Sequence, residues 1–343
     1  MEKALIGMSG GVDSSVAVFL LKQRGFDVSG VTFLLCENSS KENVDDAKKV
    51  AEKLHIEHFS KDYSSDFKSR VIARFVSDYE NSLTPNPCVE CNRHIKFEKL
   101  LSLANENGID KIATGHYAII EEKNGRFLLK KAKDHSKDQS YFLYTLSQDV
   151  LSRTLFPLGE MTKSEIREIA SNEGFVNAQK RDSQDICFVE NGQYAKVIED
   201  FSKKSYPSGD FVNLSGEVLG RHKGVIHYTV GQRKGLGLAL PRPMYVVDKR
   251  MSDNRVVLGY EEDLYSTTLF AKDLNWIMFD TPPESFRAEI KVRYSQNTHI
   301  GTVTPLENNR VKVEFDTPVR AITRGQAVVF YQGDYVIGGG TIE

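Results

Sequence analysis

The stretch Gly7-Met8-Ser9-Gly10-Gly11-Val12-Asp13-Ser14-Ser15 decides the fold of the first part of this chain. It joins a short apolar run, residues 4–8, to residues 14–24, whose apolar side chains recur at helical spacing. A glycine-rich turn between a buried strand and a helix brings successive backbone N–H groups to the positive end of that helix. The sequence therefore predicts an anion-binding loop at one edge of an α/β sheet.

The side chains of this loop suit the phosphates of a nucleotide. Ser9, Ser14 and Ser15 offer hydroxyl donors, and Asp13 offers a carboxylate for Mg²⁺. The chain has no G-x-x-x-x-G-K-[ST] pattern, so it lacks the lysine with which P-loop NTPases reach the γ-phosphate. An ordinary glycine turn is the alternative interpretation, and the strand and helix patterns on either side disfavour it.

Strand-like and helix-like segments alternate through the first part of the sequence. Residues 28–35 and 111–114 are apolar runs typical of buried strands, and residues 43–55 and 96–107 carry apolar residues on one helical face. This alternation predicts a parallel sheet covered by helices on both faces. Two residues near the ends of predicted strands, where such sheets bind ligands, are expected to contact the nucleotide: Phe33 and Gly115. Taken alone, Phe33 fits a core position better than a ligand contact.

The pattern changes further along the chain. Asn124-Gly125 favours a β-hairpin within residues 118–132, and Thr162-Lys163-Ser164-Glu165 has the pattern of a capping box that opens a helix. Helical spacing largely disappears after about residue 200, and short strands separated by turns then follow, as in a small β-barrel. We predict an α/β protein with three domains: a parallel-sheet domain over residues 1–200, a small central β-rich domain over 201–265 and a C-terminal β-barrel over 266–343.

Composition excludes several classes of protein. The 343 residues include only 4 Cys, which excludes a disulfide scaffold. No apolar run approaches the ~18–20 residues that cross a bilayer, so we expect a cytoplasmic protein without membrane contact.

Since the formal net charge is −2, nucleic acid must be bound by local basic patches. Residues 221–250 form such a patch, with seven Lys or Arg against one acidic residue. Four residues interspersed in it offer rings for stacking on a base: His222, His227, Tyr228 and Tyr245.

Three of the four cysteines lie in settings that favour thiol chemistry. Cys88 and Cys91 form a C-x-x-C in a proline-braced loop that we expect to enter a helix near Lys96, with Arg93, His94 and Lys96 as cationic neighbours. Cys187 follows another cationic pair, Lys180 and Arg181. Cations and a helix N-terminus stabilise thiolates, so these positions predict thiols of lowered pKa.

Other interpretations of the cysteines remain open at this point. Cys88, Cys91 and Cys187 are also compatible with buried packing, or with a structural zinc site that His94 would complete. The chain has no second close cysteine pair, which weakens the zinc interpretation. Cys36, at the end of an apolar run, is predicted to pack in the interior.

Taken together, the motifs resemble the tRNA-specific 2-thiouridylases over essentially the whole chain, beginning with an ATP-pyrophosphatase loop. The matching segments are residues 7–15, Thr84-Pro85-Asn86-Pro87, Cys91-Asn92, residues 95–97, residues 113–117, residues 137–143, Asp182-Ser183, Ile186-Cys187-Phe188, residues 227–237 and Gly338-Gly339-Gly340. The resemblance implies an ATP-pyrophosphatase domain, a small central domain and a C-terminal β-barrel. It also implies that ATP and Mg²⁺ serve 2-thiolation of the wobble uridine, position 34, of tRNA.

The resemblance assigns a role to each matching residue. Cys187 would carry persulfide sulfur from a cysteine desulfurase or a sulfur-relay protein, and Cys91 would be the second catalytic cysteine, forming a disulfide with it. The ATP site would comprise Gly7, Met8, Ser9, Gly10, Gly11, Val12, Asp13, Ser14, Phe33 and Gly115. The residues expected to contact tRNA are Asn86, Pro87, Cys88, His116, Lys137, Asp138, Gln139, Arg293, Tyr294 and Gln326.

One departure from the family pattern opens a second hypothesis. Family members often have Asn-Pro-Asp where this chain has Asn86-Pro87-Cys88. Cys88, Cys91 and Cys187 could therefore ligate an iron–sulfur cluster with one iron open to sulfur.

Two rival functions also remain. ATP-pyrophosphatase ligases need no thiol pair, and a non-catalytic RNA-binding or redox-sensing protein needs no phosphate loop.

Overall fold

The structure is a computed structural model, and it describes residues 1–36, 41–180 and 186–343. Arg181 and the Asp182-Ser183 motif, named above beside Cys187, lie outside the described residues.

Five parallel strands form the N-terminal sheet, in the order β3-β2-β1-β4-β7. They are β1 (Lys3–Gly7), β2 (Asp27–Leu34), β3 (Glu57–Asp62), β4 (Lys111–Ala113) and β7 (Thr154–Leu155). The predicted parallel sheet is confirmed. The chain leaves β1 for β2 on one side and later returns to β4 on the other, so the strand order reverses at β1. A crevice at the carboxyl end of such a strand is where open α/β sheets bind ligands.

Helices cover both faces of this sheet. On one face, Val16 and Leu21 share a core cluster with Ile166 and Ala170. On the other face, Leu5 and Ile112 share a cluster with Leu100 and Leu103 of a second group of helices. The helices of the N-terminal part are α1 (Val12–Gln23), α2 (Lys41–Lys53), α3 (Ser64–Phe67), α4 (Ala73–Glu80), α5 (Pro87–Cys91), α6 (Glu98–Glu106), α7 (Gln148–Arg153), α8 (Lys163–Asn172) and α9 (Tyr194–Ser202). Stretches of π-helix join α3 to α4 and α5 to α6.

The predicted hairpin around Asn124-Gly125 is confirmed, with β5 (Ile119–Lys123) and β6 (Arg126–Lys130) antiparallel. Both turn residues have positive φ, 55° and 74°, as a type I′ turn requires. The hairpin joins the C-terminal sheet, because β6 pairs with β17 (Tyr335–Ile342). Local sequence patterns could not predict this partner.

The C-terminal barrel is confirmed as a closed set of strands in the order β12-β15-β14-β13-β16-β17, closed by pairing of β12 with β17. The remaining barrel strands are β12 (Tyr265–Trp276), β13 (Phe286–Lys291), β14 (His299–Leu306), β15 (Arg310–Arg320) and β16 (Ala327–Gln332). The barrel shares a hydrophobic core with the N-terminal part, since Tyr141 and Leu146 cluster with Val329 and Tyr331.

A third sheet lies between these two parts in sequence, in the order β10-β11-β8-β9. Its strands are β8 (Gly209–Asn213), β9 (Val218–His222), β10 (Tyr245–Arg250) and β11 (Arg255–Gly259). It has its own small core, in which Phe211 and Tyr228 pack with Val246 and Leu258. No helix in the described ranges is long and apolar enough to cross a membrane.

Candidate active site

The glycine loop lies at the carboxyl end of β1 and opens α1. Gly10 has φ +73°, and a Cβ there would meet the backbone oxygen of Asn43 at 2.1 Å. Only glycine satisfies both conditions. Ser14 and Ser15 donate their hydroxyl protons to the Gly11 oxygen, at 3.1 and 3.0 Å. A ligand at the N-terminus of α1 can therefore approach the backbone closely. A phosphate group suits this position.

A second backbone segment closes against this loop. A Cβ on Gly115 would meet the Ser14 nitrogen at 2.9 Å, so this glycine is required by the contact itself. The sequence placed Gly115 at the same edge of the sheet, and the structure brings it against the start of α1. The loop around Gly10 and the segment at Gly115 thus form a cradle made mainly of backbone, which added side-chain atoms would fill. Such a cradle fits the phosphates of ATP.

Asp13 is held by two residues that the sequence analysis did not select. The Lys163 ammonium donates to both carboxylate oxygens at 2.7 and 2.8 Å, and the Tyr117 hydroxyl donates to one of them at 2.6 Å. Lys163 is buried at the first position of α8. The capping box at Thr162 is confirmed and marks where that helix begins, but it could not show which residue the lysine faces.

Asn177 supports the loop from the segment after α8. Its amide nitrogen donates to the Gly10 oxygen at 3.1 Å and to the Ser15 hydroxyl at 2.9 Å. The side chain is buried, and its Oδ1 has no hydrogen-bond partner among the described residues. No sequence signal distinguished Asn177, because its role depends on a contact across 167 residues.

Phe33 lies between the predicted nucleotide site and the cluster that contains Cys91. It lies at the end of β2, meets Tyr63 edge to face at 4.9 Å, and packs against the cluster that contains Cys91. A contact between Phe33 and a nucleotide stays a prediction. The packing shows that residues next to the phosphate loop and the cysteine helix share one wall.

The C-x-x-C segment is helical rather than a loop. Helix α5 begins at Pro87, a position that tolerates proline, and includes both Cys88 and Cys91. The prediction of a helix that starts only near Lys96 was therefore wrong. Cys88 is exposed and Cys91 is buried. The two positions lie near one another on the helix surface, and the packing of Phe67, Val71 and Ile95 covers Cys91.

The predicted lowering of the thiol pKa is also wrong for Cys91. Burial raises its pKa, and the nearby Lys96 only partly opposes this effect. The cations chosen from the sequence do not control this thiol, because Arg93 and Lys96 are exposed to solvent while Cys91 packs among Phe67, Val71 and Ile95. Water screens the exposed charges, and removal of water from the thiol dominates.

Cys187 reaches the same place from a distant part of the chain. Its neighbour Phe188 inserts edge-on between Phe67 and Phe75, with ring centroids at 5.7 and 5.3 Å. Phe188 also packs on the cluster that holds Cys91. Cys187 keeps an exposed surface, yet the surrounding protein raises the pKa of its thiol, and the Cys91 thiol adds to this. The lowered pKa predicted here is therefore wrong as well.

A metal site on these cysteines finds no support. The parts of the chain that the structure describes contain no group of three or more His, Cys, Asp or Glu residues able to hold a metal ion. His94, the proposed fourth zinc ligand, lies between Glu90 and Glu98 at 3.5 and 3.3 Å. The iron–sulfur hypothesis is likewise unsupported by the arrangement of the described side chains.

Several predicted RNA contacts surround the entry to α5. Gln326 of the barrel donates to the Thr84 oxygen at 2.7 Å, which ties the barrel to the segment before Asn86-Pro87. Tyr294 is exposed, and its ring lies 4.5 Å from that of Phe142. Arg293 is half-buried and donates to the Val230 oxygen at 3.1 Å. Gln326 and Tyr294 can thus present surface to a ligand from the barrel side.

Other predicted RNA contacts have internal partners. Asp138 is buried and accepts from the Ala132 nitrogen and the Ser140 hydroxyl, at 3.0 and 2.8 Å. Gln139 accepts from the Tyr117 nitrogen at 2.9 Å. His116 is buried, and desolvation lowers its pKa well below the ordinary value, so the ring is neutral. These residues shape the wall of the site, and their contact with RNA stays a prediction.

The basic stretch 221–250 does not form one face. His222 and Tyr228 are buried in the core of the central sheet, so they offer no exposed ring for stacking, contrary to expectation. Arg221 pairs with Asp210 at 2.9 Å, and Lys249 is buried. Alternation along β9 and β10 sends these residues to different sides, which a count of charges along the sequence cannot show.

Comparison with known proteins agrees with this geometry. Three family models match consecutive parts of the chain: "tRNA methyl transferase HUP domain" over residues 2–191, "tRNA methyl transferase PRC-barrel domain" over 195–260 and "Aminomethyltransferase beta-barrel domain" over 266–342. The relatives include proteins named tRNA-specific 2-thiouridylase MnmA from Clostridium botulinum strain Alaska E43, at 47% identity over 100% of this chain and 98% of the relative, and from Lachnoclostridium phytofermentans, at 47% over 100% and 99%. A Clostridium tetani relative, named tRNA-specific 2-thiouridylase MnmA 2, is 49% identical over 100% of this chain and 99% of its own.

The identity extends from the phosphate loop to the end of the barrel and leaves no part of the chain unmatched. This full-length similarity shows that the chain belongs to the tRNA-specific 2-thiouridylase MnmA family.

Proposed function

We propose that this protein is a tRNA-uridine 2-sulfurtransferase that uses ATP to activate the C2 oxygen of the wobble uridine and replaces that oxygen with sulfur. The observation that carries the proposal is the shared wall of the site. Phe33, beside the phosphate loop, and Phe188, beside Cys187, both pack on the cluster that contains Cys91. One pocket can therefore serve nucleotide activation and thiol chemistry in sequence.

The first step makes the oxygen a leaving group. The uridine O2 attacks the α-phosphorus of ATP, the bond between that phosphorus and the bridging oxygen breaks, and pyrophosphate departs. Backbone N–H groups around Gly10 and Gly11 would hold the departing phosphates. Mg²⁺ would accompany the phosphates of ATP and neutralise their charge. Asp13 is the loop carboxylate that would hold Mg²⁺, and both of its oxygens accept from the Lys163 ammonium.

The second step delivers sulfur. The terminal sulfur of a persulfide on Cys187 forms a bond to C2, the C2–O bond breaks, and AMP leaves with the oxygen. The Cys91 thiolate then attacks the Cys187 sulfur, which breaks the S–S bond and leaves sulfur on the base. The thiol protons pass to solvent. The product disulfide between Cys91 and Cys187 is reopened by a thiol reductant.

The partners follow from this chemistry. A persulfide must be loaded on Cys187 by a cysteine desulfurase or a sulfur-relay protein, and the exposed surface of Cys187 suits such a transfer. The wobble uridine is unpaired in the anticodon loop, so it can enter a pocket without breaking a base pair. We assign the residues at the start of α5, Asn86, Pro87 and Cys88, to contact with this base. The three-domain division at about residues 200 and 265 remains part of the proposal.

The test is an anaerobic reaction with unmodified tRNA, ATP, Mg²⁺ and a sulfide source, followed by mass spectrometry of the digested nucleosides. Formation of 2-thiouridine with AMP and pyrophosphate is expected. Pyrophosphate without a thionucleoside, even with a sulfur-relay protein added, would favour an ATP-pyrophosphatase ligase instead. Iron content and visible absorbance of the same active preparation decide between the persulfide route and a cluster on the cysteines.

A further inference from the structure

A cleft of about 770 Å³ lies where the three parts of the chain meet, away from the phosphate loop. The end of α4, the segment before β8, the end of β10 and a loop of the barrel each contribute to its lining. The residues used below are Glu80, Ser82, Lys204, Lys249, Arg250 and Arg324. The proposed reaction does not use this cleft, and none of the tRNA contacts assigned by family resemblance lines it. Lys249 and Arg250 do belong to the basic stretch 221–250.

The charge of the cleft is positive once its internal pairs are counted. Four cationic and two acidic side chains line it. Both acidic side chains are engaged, because Glu80 pairs with Lys204 at 2.7 Å and Asp248 pairs with Arg250 at 3.2 Å. Within the described ranges, Lys249 and Arg324 form no salt bridge. Two positive charges therefore line the cleft without a carboxylate in salt-bridge contact among the described residues.

Lys249 is the unusual member of this pair. It is only 2% exposed, its ammonium donates to the Leu83 oxygen at 3.1 Å, and it lies 4.8 Å from the centre of the Tyr79 ring. Burial lowers its pKa to about 8. The charge of Asp248 opposes this effect only in part. A buried ammonium whose direct contacts are a carbonyl and a ring costs free energy that a bound anion would recover.

Both residues also contact the segment that enters α5, Lys249 through its ammonium and Arg324 through its backbone. Lys249 binds the oxygen of Leu83, and the backbone oxygen of Arg324 accepts from the Thr84 nitrogen at 2.9 Å. This segment continues directly into Asn86 and Pro87. An anion bound in the cleft would therefore be linked, through one or two residues, to the entry of the catalytic helix.

We propose that this cleft binds a backbone phosphate of the RNA substrate, with Arg324 and Lys249 as its cationic partners. The inference rests on the proposed function, because it takes RNA as the substrate. The Ser82 hydroxyl accepts from the Met251 nitrogen at 2.9 Å, and a hydroxyl that accepts can still donate its own proton, here to a phosphate oxygen. A chain of net charge −2 must bind a polyanion through such local sites, and phosphate contacts set the position of the RNA while base contacts select it.

The test measures binding of unmodified tRNA to the full chain by fluorescence anisotropy over a series of salt concentrations, without ATP or a sulfur source. Arg324→Gln removes an exposed cation from the cleft. Arg287→Gln removes an exposed cation of the barrel that does not line it and that pairs with Asp316. Loss of one phosphate contact should reduce the slope of log affinity against log salt by about 0.7 to 0.9. We expect this reduction for R324Q and not for R287Q.

A second variant tests the buried partner. Lys249→Gln should reduce the slope by a similar amount, provided that circular dichroism and thermal unfolding show a folded protein. R324Q needs no such condition, because Arg324 is exposed. An unchanged slope in R324Q overturns the inference whatever the behaviour of K249Q.

Free phosphate compounds could use the same chemistry, and calorimetric titration with inorganic pyrophosphate distinguishes the two sources. Binding of pyrophosphate that R324Q abolishes, together with an unchanged tRNA slope, would assign the cleft to a free ligand and overturn the RNA assignment. The result is independent of the reaction. Wild-type protein that binds tRNA through Arg324 yet makes no 2-thiouridine would refute the proposed function and leave this site standing.

Discussion

Lys163 donates to both carboxylate oxygens of Asp13, at 2.7 and 2.8 Å, across 150 residues of sequence. The phosphate loop lacks a lysine of its own, and this contact supplies one from the start of α8. Since the side chain of Lys163 is 11% exposed and that of Asp13 is 30% exposed, the pair is partly shielded from water. It holds the first turn of α1 in place and sets a positive charge beside the cradle.

Replacement of Lys163 by Met should slow pyrophosphate formation by at least ~10-fold, because a hydrogen bond to a charged group contributes about 1.5–3 kcal/mol. The measurement is the initial rate of pyrophosphate release with tRNA and ATP. Lys133→Met is the matched control, since Lys133 pairs with Glu165 near the same helix but is half exposed. Equal rates in the wild type and K163M would show that the Asp13 contact has no role in ATP use.

Two glycines of nearly equal φ allow the effect of backbone strain to be measured apart from the effect of a steric clash. Gly10 and Gly125 have φ of +73° and +74°, but a Cβ on Gly10 would meet backbone atoms of Asn43, whereas Gly125 has nothing within 4 Å. Gly125→Ala should lower the free energy of unfolding by about 1–2 kcal/mol, because alanine is strained in the left-handed conformation. Gly10→Ala should in addition displace the loop and abolish the stabilisation of the protein by ATP. Thermal unfolding with and without ATP measures both effects, and an ATP shift retained in G10A would contradict the cradle.

Cys187→Ser should abolish sulfur transfer and leave pyrophosphate formation unchanged, since the phosphate loop does not depend on this thiol. Cys91→Ser should still load a persulfide on Cys187 and bond its terminal sulfur to C2, but the S–S bond that joins the base to Cys187 should not break. Mass spectrometry of the protein and of the nucleosides measures the two outcomes. Cys36→Ser is the control variant and should thiolate normally. Thiolation by C187S would refute the carrier role, and loss of activity in Cys88→Ser together with loss of iron would favour a cluster.

The pH dependence of sulfur transfer follows from the raised pKa of Cys91. A thiol whose pKa lies above its ordinary value is protonated at neutral pH, and its reactive thiolate fraction grows about tenfold per pH unit until the pKa is reached. The single-turnover rate with preloaded Cys187 persulfide should therefore rise from about pH 6 to 8 with a slope near one. A flat or falling profile would show that the Cys91 thiolate does not limit the reaction. Pyrophosphate release from the same samples serves as the control for the phosphate loop.

Features that depend on neighbours in sequence were predictable. The glycine pair of the phosphate loop, the capping box at Thr162 and the Asn124-Gly125 turn each act within a few residues, so the local chain determines their conformation. The alternation of strands and helices likewise predicted the parallel sheet, because periodicity records which side of each element is buried. Family resemblance then connected the two cysteines, which lie 96 residues apart in sequence as Cys91 and Cys187.

Tertiary structure alone decided the features that depend on which surfaces meet. Burial of Cys91 against Phe67 and Ile95 reversed the direction of its predicted pKa shift, since desolvation depends on atoms from other elements. The pairing of Lys163 with Asp13, the attachment of the hairpin to the barrel through β17, and the burial of Lys249 beside Leu83 all join residues far apart along the chain. A linear pattern records that a residue is charged or apolar, and only the packed fold determines which partner it meets and how much water remains around it.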